Sequence, residues 1–367
     1  MKVTLVADEY FSWGQNGGYG AFTKKLGTEL AKRGVEVECL VQHIMLLLKP
    51  AGESEIINGV KVITMPRGKL KKFCSYLYKV NTDIIHSECG MLDTYLVFAQ
   101  NKNTPKICSL QDLRTKQDLL VAYEGEKTNG AKSLWEKYVY RLYGSALRKA
   151  DVVTPQANLL IPKIEKVFGF NSQKLRRLQL LPNFVDEPKI KIKKDNRPNV
   201  LFLGRLDKIK NPELCFDIAK NYRQAEFYVL GRTPDGQRDY NLRWNYRKIA
   251  NLHFLNFDEG KLKETCLSKA HILINTSFYE ALPVSFLEAM SYKCAILSFQ
   301  NPDSYTEKFG CSAYKLDAQS YVQGLNSLFN NDYWKVQGEK GYQHFMQFHT
   351  TAQGVESHIK LYRELLC

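Results

Sequence analysis

The chain has 367 residues, of which 44% are hydrophobic, and its 52 lysines and arginines outnumber 38 acidic residues to give a formal net charge of +14. This length favours two domains, and the hydrophobic share can form two cores, which excludes a mainly disordered chain. The charge favours an anionic partner such as a nucleotide, a phospholipid or a nucleic acid.

No apolar run approaches the roughly eighteen residues that span a membrane, and a strand pattern rather than a signal peptide opens the chain. We therefore expect a cytoplasmic protein. Its nine cysteines are scattered and never form a C-x-x-C pair, which argues against a disulfide framework or a zinc site. We expect reduced thiols, no bound metal and no cofactor.

The first half of the chain alternates strand and helix patterns. KVTLVA predicts the opening strand, and a glycine-bearing loop leads into the helix pattern GYGAFTKKLGTELAKRG. Further strands are predicted at VEVECLV, KVITM, DIIHSE, KICSL and DVVTP.

The second half repeats this order from NVLFLG. In the helix pattern NPELCFDIAKNY, Asn211 suits the N-cap and Pro212 the first helical position. The strand patterns AEFYVLG, LHFLN, HILINTS and CAILSF then alternate with helices. Because this alternation is typical of a parallel sheet covered on both faces, we expect an α/β protein with two such sheets side by side.

The boundary between the halves lies in LPNFVDEPKIKIKKDNRPN, where Pro182, Pro188 and Pro198 bracket a lysine-rich stretch. We predict a first domain over residues 1–184 and a second over 185–349. The last helical pattern, over about residues 350–367, is predicted to pack back on the first domain.

Lysines and aromatic residues are interleaved in RGKLKKFCSYLYK, residues 67–79. This pattern fits an amphipathic face on an anionic membrane, but an ordinary helix with its cations in solvent and its aromatic residues in the core is the more common explanation. Both interpretations stay open, so peripheral binding to a membrane is a second expectation for the location of the protein.

In an open parallel sheet, ligands bind where loops leave the carboxyl ends of strands. The loop WGQNGGYGAF contains Gly17 and Gly18, which let the backbone approach a ligand closely. It does not match the dinucleotide fingerprint G-x-G-x-x-G, and a plain tight turn explains it as well.

A second loop, GRLDKIKN, places Arg205 just beyond a predicted strand and Lys210 five residues later. The arginine fork and the lysine ammonium could converge on one phosphate group. The alternative is that both cations are solvated.

The third loop, in FYEALPVSFLEAM, holds two acids. Pro283 suits a first helical turn, so Glu280 lies in the loop and Glu288 about a turn and a half into the helix. A carboxylate would repel a diphosphate at this helix terminus, so each glutamate needs a neutral donor such as a sugar hydroxyl. A nucleotide sugar supplies ribose hydroxyls, hexose hydroxyls and a diphosphate for the amides of Ala281 to Val284. Alternatively, Glu280 only caps the helix.

The Glu-x7-Glu spacing of YEALPVSFLEAM, with GRLDKIKN, GGYG and ADVVTPQ, resembles the large family of retaining glycosyltransferases that have the GT-B fold. The resemblance runs over nearly the whole chain. It implies two Rossmann-like domains that face each other across a cleft, the first binding the acceptor and the second the nucleotide-sugar donor.

The resemblance also implies roles for individual residues. Arg205 and Lys210 would hold the donor diphosphate, Glu280 the hexose hydroxyls and Glu288 the ribose hydroxyls. The residues implied in donor binding or catalysis are Gly17, Gly18, Arg205, Lys210, Glu280, Ala281, Leu282, Pro283, Val284 and Glu288. The family typically needs no metal, and its same-face transfer needs no protein nucleophile.

Three segments depart from the family pattern. Ala281 stands where a glycine often follows the first glutamate, and GRTPDGQ replaces a glycine-aspartate-glycine pattern. DIIHSECG has Glu88 in place of the second histidine that contacts the donor sugar. His86 and Glu88 are therefore candidate sugar contacts, although a buried, hydrogen-bonded histidine is the more common arrangement.

These observations favour transfer of a hexose from a nucleotide diphosphate sugar to a hydroxyl acceptor. The expected acceptor is a glycan or lipid-linked precursor of cell-envelope or capsular polysaccharide or of a glycolipid. One alternative is a nucleotide-sugar epimerase of the same two-domain architecture. Another is a basic nucleic-acid-binding protein, but no nucleic-acid motif accompanies the charge, so we expect no nucleic-acid partner.

Overall fold

A computed structural model describes residues 1–11, 13, 18–42, 52–65, 79–88, 91–115, 117–118, 130–233, 235–256 and 260–367. The chain divides into two units, each with its own sheet. Among the described residues, the first unit contains residues 1–115, 130–183 and Gly354–Cys367, whereas the second contains residues 117–118 and Phe184–Gln353. Of residues 67–79, for which contact with a membrane was predicted, the structure describes only Lys79. Of the two glycines predicted to approach a ligand, Gly18 is described and Gly17 lies outside the described residues.

The described residues of the first unit form a seven-stranded sheet in the order β3-β4-β2-β1-β5-β6-β7. Its strands are β1 (Lys2–Ala7), β2 (Glu36–Gln42), β3 (Ser54–Ile57), β4 (Val60–Met65), β5 (Ile84–Ser87), β6 (Lys106–Leu110) and β7 (Val152–Pro155). Its helices are α1 (Gly18–Lys32), α2 (Met91–Gln100), α3 (Gly130–Lys149) and α4 (Ile161–Phe168). The pairs among the six strands other than β3 are parallel, and β3 pairs antiparallel at the edge.

The second unit forms a six-stranded parallel sheet in the order β10-β9-β8-β11-β12-β13. Its strands are β8 (Asn199–Leu203), β9 (Glu226–Leu230), β10 (Leu252–Leu255), β11 (Ile272–Asn275), β12 (Ala295–Ser298) and β13 (Gly310–Ser312). Its helices are α5 (Pro212–Asn221), α6 (Gly236–Tyr246), α7 (Lys261–Lys269), α8 (Val284–Ser291), α9 (Tyr305–Phe309), α10 (Ala318–Phe329) and α11 (Tyr333–Phe348), and α12 (Thr351–Leu366) continues into the first unit.

Burial explains why the strand patterns are continuous apolar runs. Every residue of β7, β11 and β12 is buried, as expected for parallel strands covered by helices on both faces. The two short strands β3 and β13 are absent from the predicted strands. The SEII sequence of β3 is largely exposed, so it carries no apolar signal.

Both sheets have a topological switch point. In the second unit the chain adds β9 and β10 on one side of β8 and then returns to place β11 on the other side. In the first unit β5 is the strand that returns beside β1. Loops that leave the carboxyl ends of these central strands diverge and leave room for a ligand.

Candidate functional site: the carboxyl edge of the second sheet

The loops GRLDKIKN and NTSFYEALP leave the two strands that flank the switch point of the second unit, β8 and β11. They are fastened together, because the amide of Phe278 donates to the carbonyl of Ile209 at 2.9 Å. The Thr276 hydroxyl lies 3.1 Å from the carbonyl of Lys210 and 2.9 Å from that of Asn211. Lys210 and Glu280 are therefore held on one rigid edge.

The local structure explains why Lys210 points inward. Asp207 accepts the Lys210 amide through Oδ1 at 3.0 Å, which closes the loop. Asn211 takes the N-cap position of α5 with φ 47°, and its side chain makes no capping bond, unlike the capping role predicted for it. Pro212 does occupy the start of α5, as predicted.

Glu280 is anchored through one oxygen. Its Oε1 accepts from Lys210 Nζ at 2.6 Å, Ser277 Oγ at 2.6 Å and Asn275 Nδ2 at 2.9 Å. Within the described residues no hydrogen bond reaches Oε2. The carboxylate is thus fixed in orientation while its second oxygen keeps its capacity to accept from a hydroxyl group.

Glu280 stays ionised although it is 9% exposed. Burial alone would raise its pKa, but the charge of Lys210 and the hydrogen bonds from Lys210, Ser277 and Asn275 outweigh it and hold the pKa below the usual value of a glutamate. The side chain makes no capping bond to α8, whose N-cap is Pro283. The alternative that Glu280 only caps the helix is therefore not what the structure shows.

The helix α8 begins at Val284, and no side chain caps its N terminus. The Phe286 amide donates to the carbonyl of Pro283 at 2.9 Å, whereas the amides of the first two residues of α8 have no intrahelical acceptor. These N–H groups lie at the positive end of the helix dipole, which suits an anion. Pro283 was included among the residues whose amides were predicted to bind a diphosphate, but it cannot take this role because proline has no N–H to donate. Ala281 and Leu282 are buried, and their side chains are apolar, so only their backbone groups can form hydrogen bonds to a ligand.

Arg205 has a different environment from Lys210. Its side chain is 50% exposed, and its Nε lies 2.8 Å from Oδ2 of Asp207. Such an exposed pair within one loop is weak, so an incoming phosphate can replace Asp207 as the partner of the guanidinium.

Glu288 lies just over one turn into α8 and pairs with Lys263 of α7, whose Nζ is 2.8 Å from Oε1. The side chains of Lys263 and Glu288 are 23% and 18% exposed. The prediction that each glutamate meets neutral donors did not include these lysine partners. The sequence analysis did not identify Asn275 and Ser277 as partners of Glu280, although both are short polar residues within five positions of it. No sequence pattern indicated Lys263 as a partner of Glu288.

The first unit places His86 and Glu88 at the end of β5, beside the switch point of its own sheet. His86 Nε2 lies 2.8 Å from Ser109 Oγ and 3.1 Å from Glu88 Oε1, and His86 Nδ1 lies 2.8 Å from the hydroxyl of Tyr362 on α12. Gln111 Nε2 donates to Glu88 Oε2 at 2.8 Å. Both side chains are fully buried in a hydrogen-bonded network, as the more common histidine arrangement predicts.

Burial sets the protonation of this network. It raises the pKa of Glu88 to about 7 and lowers the pKa of His86 well below its usual value. His86, Glu88 and His358 each offer a metal ligand atom, and these atoms lie within 4.8 Å of one another. The hydrogen bonds described above already occupy the ring nitrogens of His86, and Nδ1 of His358 lies 2.7 Å from the carbonyl of Gly354.

Gly18 is the first residue of α1 and has open space where a Cβ would lie. Gly20 is more constrained, because an added Cβ would lie 3.0 Å from Cβ of Glu9 and 3.2 Å from the Phe11 amide nitrogen. The loop after β1 therefore packs tightly on the first turn of α1.

No described helix combines the length and apolar character that crossing a membrane requires.

The second unit matches a known protein family. Residues 184–341 match the family model of glycosyl transferases group 1. This segment contains Arg205, Lys210, Glu280 and Glu288. A comparison with curated proteins gives no match.

Solved structures resemble nearly the whole chain. Sucrose-phosphate synthase from Thermosynechococcus elongatus is 16% identical, with a TM-score of 0.76 over 99% of this chain and 98% of that one. HepE of Anabaena in complex with UDP-glucose is 12% identical, with a TM-score of 0.72 over 99% of both chains. The catalytic domain of starch synthase IV from Arabidopsis thaliana, bound to ADP and acarbose, is 15% identical, with a TM-score of 0.66 over 99% of both chains. The predicted fold class, two Rossmann-like domains as in GT-B glycosyltransferases, is confirmed.

Proposed function

We propose that this protein is a group 1 glycosyltransferase that moves a hexose from a nucleotide diphosphate sugar to a hydroxyl acceptor with retention at the anomeric carbon. The observation that carries the proposal is the Lys210–Glu280 pair at the switch point of the second sheet. A cation beside an uncapped helix terminus suits a diphosphate, and the second oxygen of Glu280 suits a sugar hydroxyl. The family match over residues 184–341 supports the same function.

Each residue has a separate role in this proposal. Lys210 and Arg205 hold the diphosphate, together with the first-turn amides of α8. Glu280 accepts from a hexose hydroxyl through Oε2, and Glu288 accepts from the ribose. Lys210 contacts Glu280 as well, so it links the position of the hexose to that of the phosphates.

The transfer breaks the bond between the anomeric carbon and the diphosphate oxygen. The acceptor oxygen forms a new bond to the same face of that carbon, and its proton passes to an oxygen of the departing phosphate. Negative charge grows on the diphosphate, and Lys210, Arg205 and the helix amides stabilise it without rearranging. These cations supply the charge that a metal ion provides in other transferases, so we propose that no metal is required.

The first unit is proposed to bind the acceptor, a glycan or a lipid-linked precursor in the synthesis of envelope or capsular polysaccharide or of a glycolipid. The sugar contacts of His86 and Glu88, the phosphate contact of Gly17, the location in the cytoplasm and the binding to an anionic membrane stay predictions. Sedimentation with anionic liposomes at low salt checks the last of these: the protein pellets with the vesicles if it binds.

UDP and ADP are chosen for the main experiment because some of the similar structures are complexes with UDP, UDP-glucose or ADP, and GDP is added as a third base. Thermal and denaturant unfolding are measured with UDP, ADP and GDP. One of these should raise the free energy of unfolding by about 2.7 kcal/mol at a hundredfold excess over its Kd. The matching nucleotide sugars are then screened for slow hydrolysis, which fixes the base and the hexose together. No stabilisation by any of the three nucleotides, and no hydrolysis of their sugars, contradicts the proposal.

A further inference from the structure

The two glutamates of the second unit are arranged in the same way. In each, Oε1 lies within 2.8 Å of a lysine Nζ, from Lys210 for Glu280 and from Lys263 for Glu288. In each, no hydrogen bond from the described residues reaches Oε2. Lysine therefore fixes the rotation of both carboxylates and leaves one oxygen of each for another donor.

The charge of Lys263 is not favoured by the dipole of its own helix. This lysine is the third residue of α7, where the positive end of the helix dipole disfavours a cation. Because α7 follows β10 and α8 follows β11, the N-terminal turns of both helices start from the carboxyl edge of the sheet. The Lys263–Glu288 pair thus lies between two helices at the edge where the ligand is proposed to bind.

We propose that Lys263 is a positioning residue that orients Glu288 toward the ribose hydroxyls and thereby makes the site select ribonucleotides over deoxyribonucleotides. The inference rests on the proposed function, because it needs a nucleotide at this edge. When a freely rotating carboxylate binds a hydroxyl group, the loss of side-chain entropy cancels part of the free energy of the hydrogen bond. A carboxylate that a lysine already holds in place loses less entropy on binding. Lys263 itself makes no contact with the reacting atoms.

The test measures the Kd values of UDP, ADP and GDP and of their 2′-deoxy and 3′-deoxy forms. For the preferred base, the wild-type protein should bind the ribonucleotide about ten- to a hundredfold more tightly than at least one deoxy form, as expected for a hydrogen bond to a charged group. Lys263→Met should reduce this ratio about tenfold by weakening the ribonucleotide alone. Lys263→Arg should restore much of the ratio, since it keeps the cation.

The matched control is Lys293→Met, which breaks a pair of the same length, Lys293 to Glu339 at 2.8 Å, near the other end of α8. It should leave the ratio unchanged, and circular dichroism and the Tm of each variant check that the fold persists. An equal loss for ribo- and deoxyribonucleotides in Lys263→Met, or an unchanged ratio, overturns the role of Lys263 while the proposed function stands. Failure of the wild-type protein to bind any of these nucleotides overturns the proposed function and, with it, this inference.

Discussion

Two buried glutamates occupy comparable places in the two sheets, and their charge states differ. Glu88 directly follows β5 and Glu280 lies in the loop after β11, each strand being the one that returns beside the first strand of its sheet. Burial raises the pKa of Glu88 to about 7, because its neighbours Gln111 and Ser109 are neutral. Glu280 is also buried, but Lys210 and two further donors lower its pKa.

The comparison shows that depth of burial does not decide the charge of a carboxyl group by itself. A cation at 2.6 Å and two neutral donors offset the burial of Glu280, whereas neutral donors alone do not offset that of Glu88. The second sheet therefore carries a fixed anion with a cation beside it, which suits a sugar phosphate. The first sheet carries a group that titrates near neutral pH.

The largest expected effect comes from removing the cation of the pair. Lys210→Met leaves the buried charge of Glu280 unpaired and should lower the free energy of unfolding at pH 7 by about 3 kcal/mol, the lower part of the range for a broken buried pair. Urea unfolding measures this, and transfer activity should be lost. The double variant Lys210→Met, Glu280→Gln should recover most of the stability. No recovery in the double variant contradicts a coupled pair.

The next effect concerns the pH dependence of Glu88. Its folded pKa of about 7 lies above the model value of 4.5, so the folded state binds more protons between these values, and the contribution of Glu88 to stability falls as pH rises from about 4.5 to 7. At about 1.4 kcal/mol per pKa unit, the full shift corresponds to about 3.5 kcal/mol. About 2 to 3 kcal/mol of this falls between pH 4.5 and 7, because the unfolded and folded forms are each half titrated at the ends of that range. Glu88→Gln should remove that dependence. The free energy of unfolding of the variant should therefore rise relative to that of the wild type as the pH increases from about 4.5 to 7.

The same urea titrations give the opposite sign for Glu280. Its pKa is lowered, so its contribution is complete above about pH 4.5 and is lost as the pH falls through the lower folded value. Glu280→Gln should therefore reduce the loss of unfolding free energy that the wild-type protein shows in acid. It should leave the pH dependence of the unfolding free energy between pH 5 and 7 unchanged. Parallel curves for the Glu88 and Glu280 variants contradict the comparison.

A smaller effect is expected where α12 meets the network of Glu88. Tyr362→Phe removes the hydroxyl that lies 2.8 Å from His86 Nδ1 and leaves a buried ring nitrogen without that partner, at a cost of about 1 to 2 kcal/mol. Tyr314→Phe, at a tyrosine that is 55% exposed, is the control and should be neutral. Equal stability of the two variants in denaturant unfolding shows that the Tyr362 hydroxyl does not stabilise the fold.

The smallest effect on stability is expected for Arg205. Because its pair with Asp207 is exposed, Arg205→Ala should change the free energy of unfolding by less than about 0.5 kcal/mol. The rate of transfer should still fall, since one of the two cations proposed to hold the diphosphate is missing. A variant that is as stable and as active as the wild type removes Arg205 from the site.

The sequence predicted the parts of the fold that depend on continuous apolar runs. Eleven predicted strands correspond to β1, β2, β4 and β5 to β12. The strands β3 and β13 could not be recognised, because four exposed residues and three residues after a short helix carry no periodic signal. Among the site residues, the sequence placed Lys210 and Glu280 on loops that leave the carboxyl ends of two strands, and the strand order shows that these strands are neighbours.

The partners of the site residues were harder to predict. Lys263 comes from a helix 25 positions before Glu288, and only the packing of α7 beside α8 brings them together. The sequence predicted neutral donors for both glutamates, and this was incomplete because each also has a lysine. Pro283 was placed inside the helix but is its N-cap, a shift of one residue that removes an expected amide donor.

The most direct measurement compares a nucleotide sugar with its nucleoside diphosphate in the wild-type protein and in Glu280→Gln. Glu280 is proposed to contact the hexose and not the diphosphate, so calorimetric titration should show about a tenfold loss of affinity for the sugar nucleotide, with the affinity for the diphosphate retained. Equal affinities of both proteins for the nucleotide sugar, or an equal loss for both ligands, contradicts the claim that this pair forms the donor-sugar site.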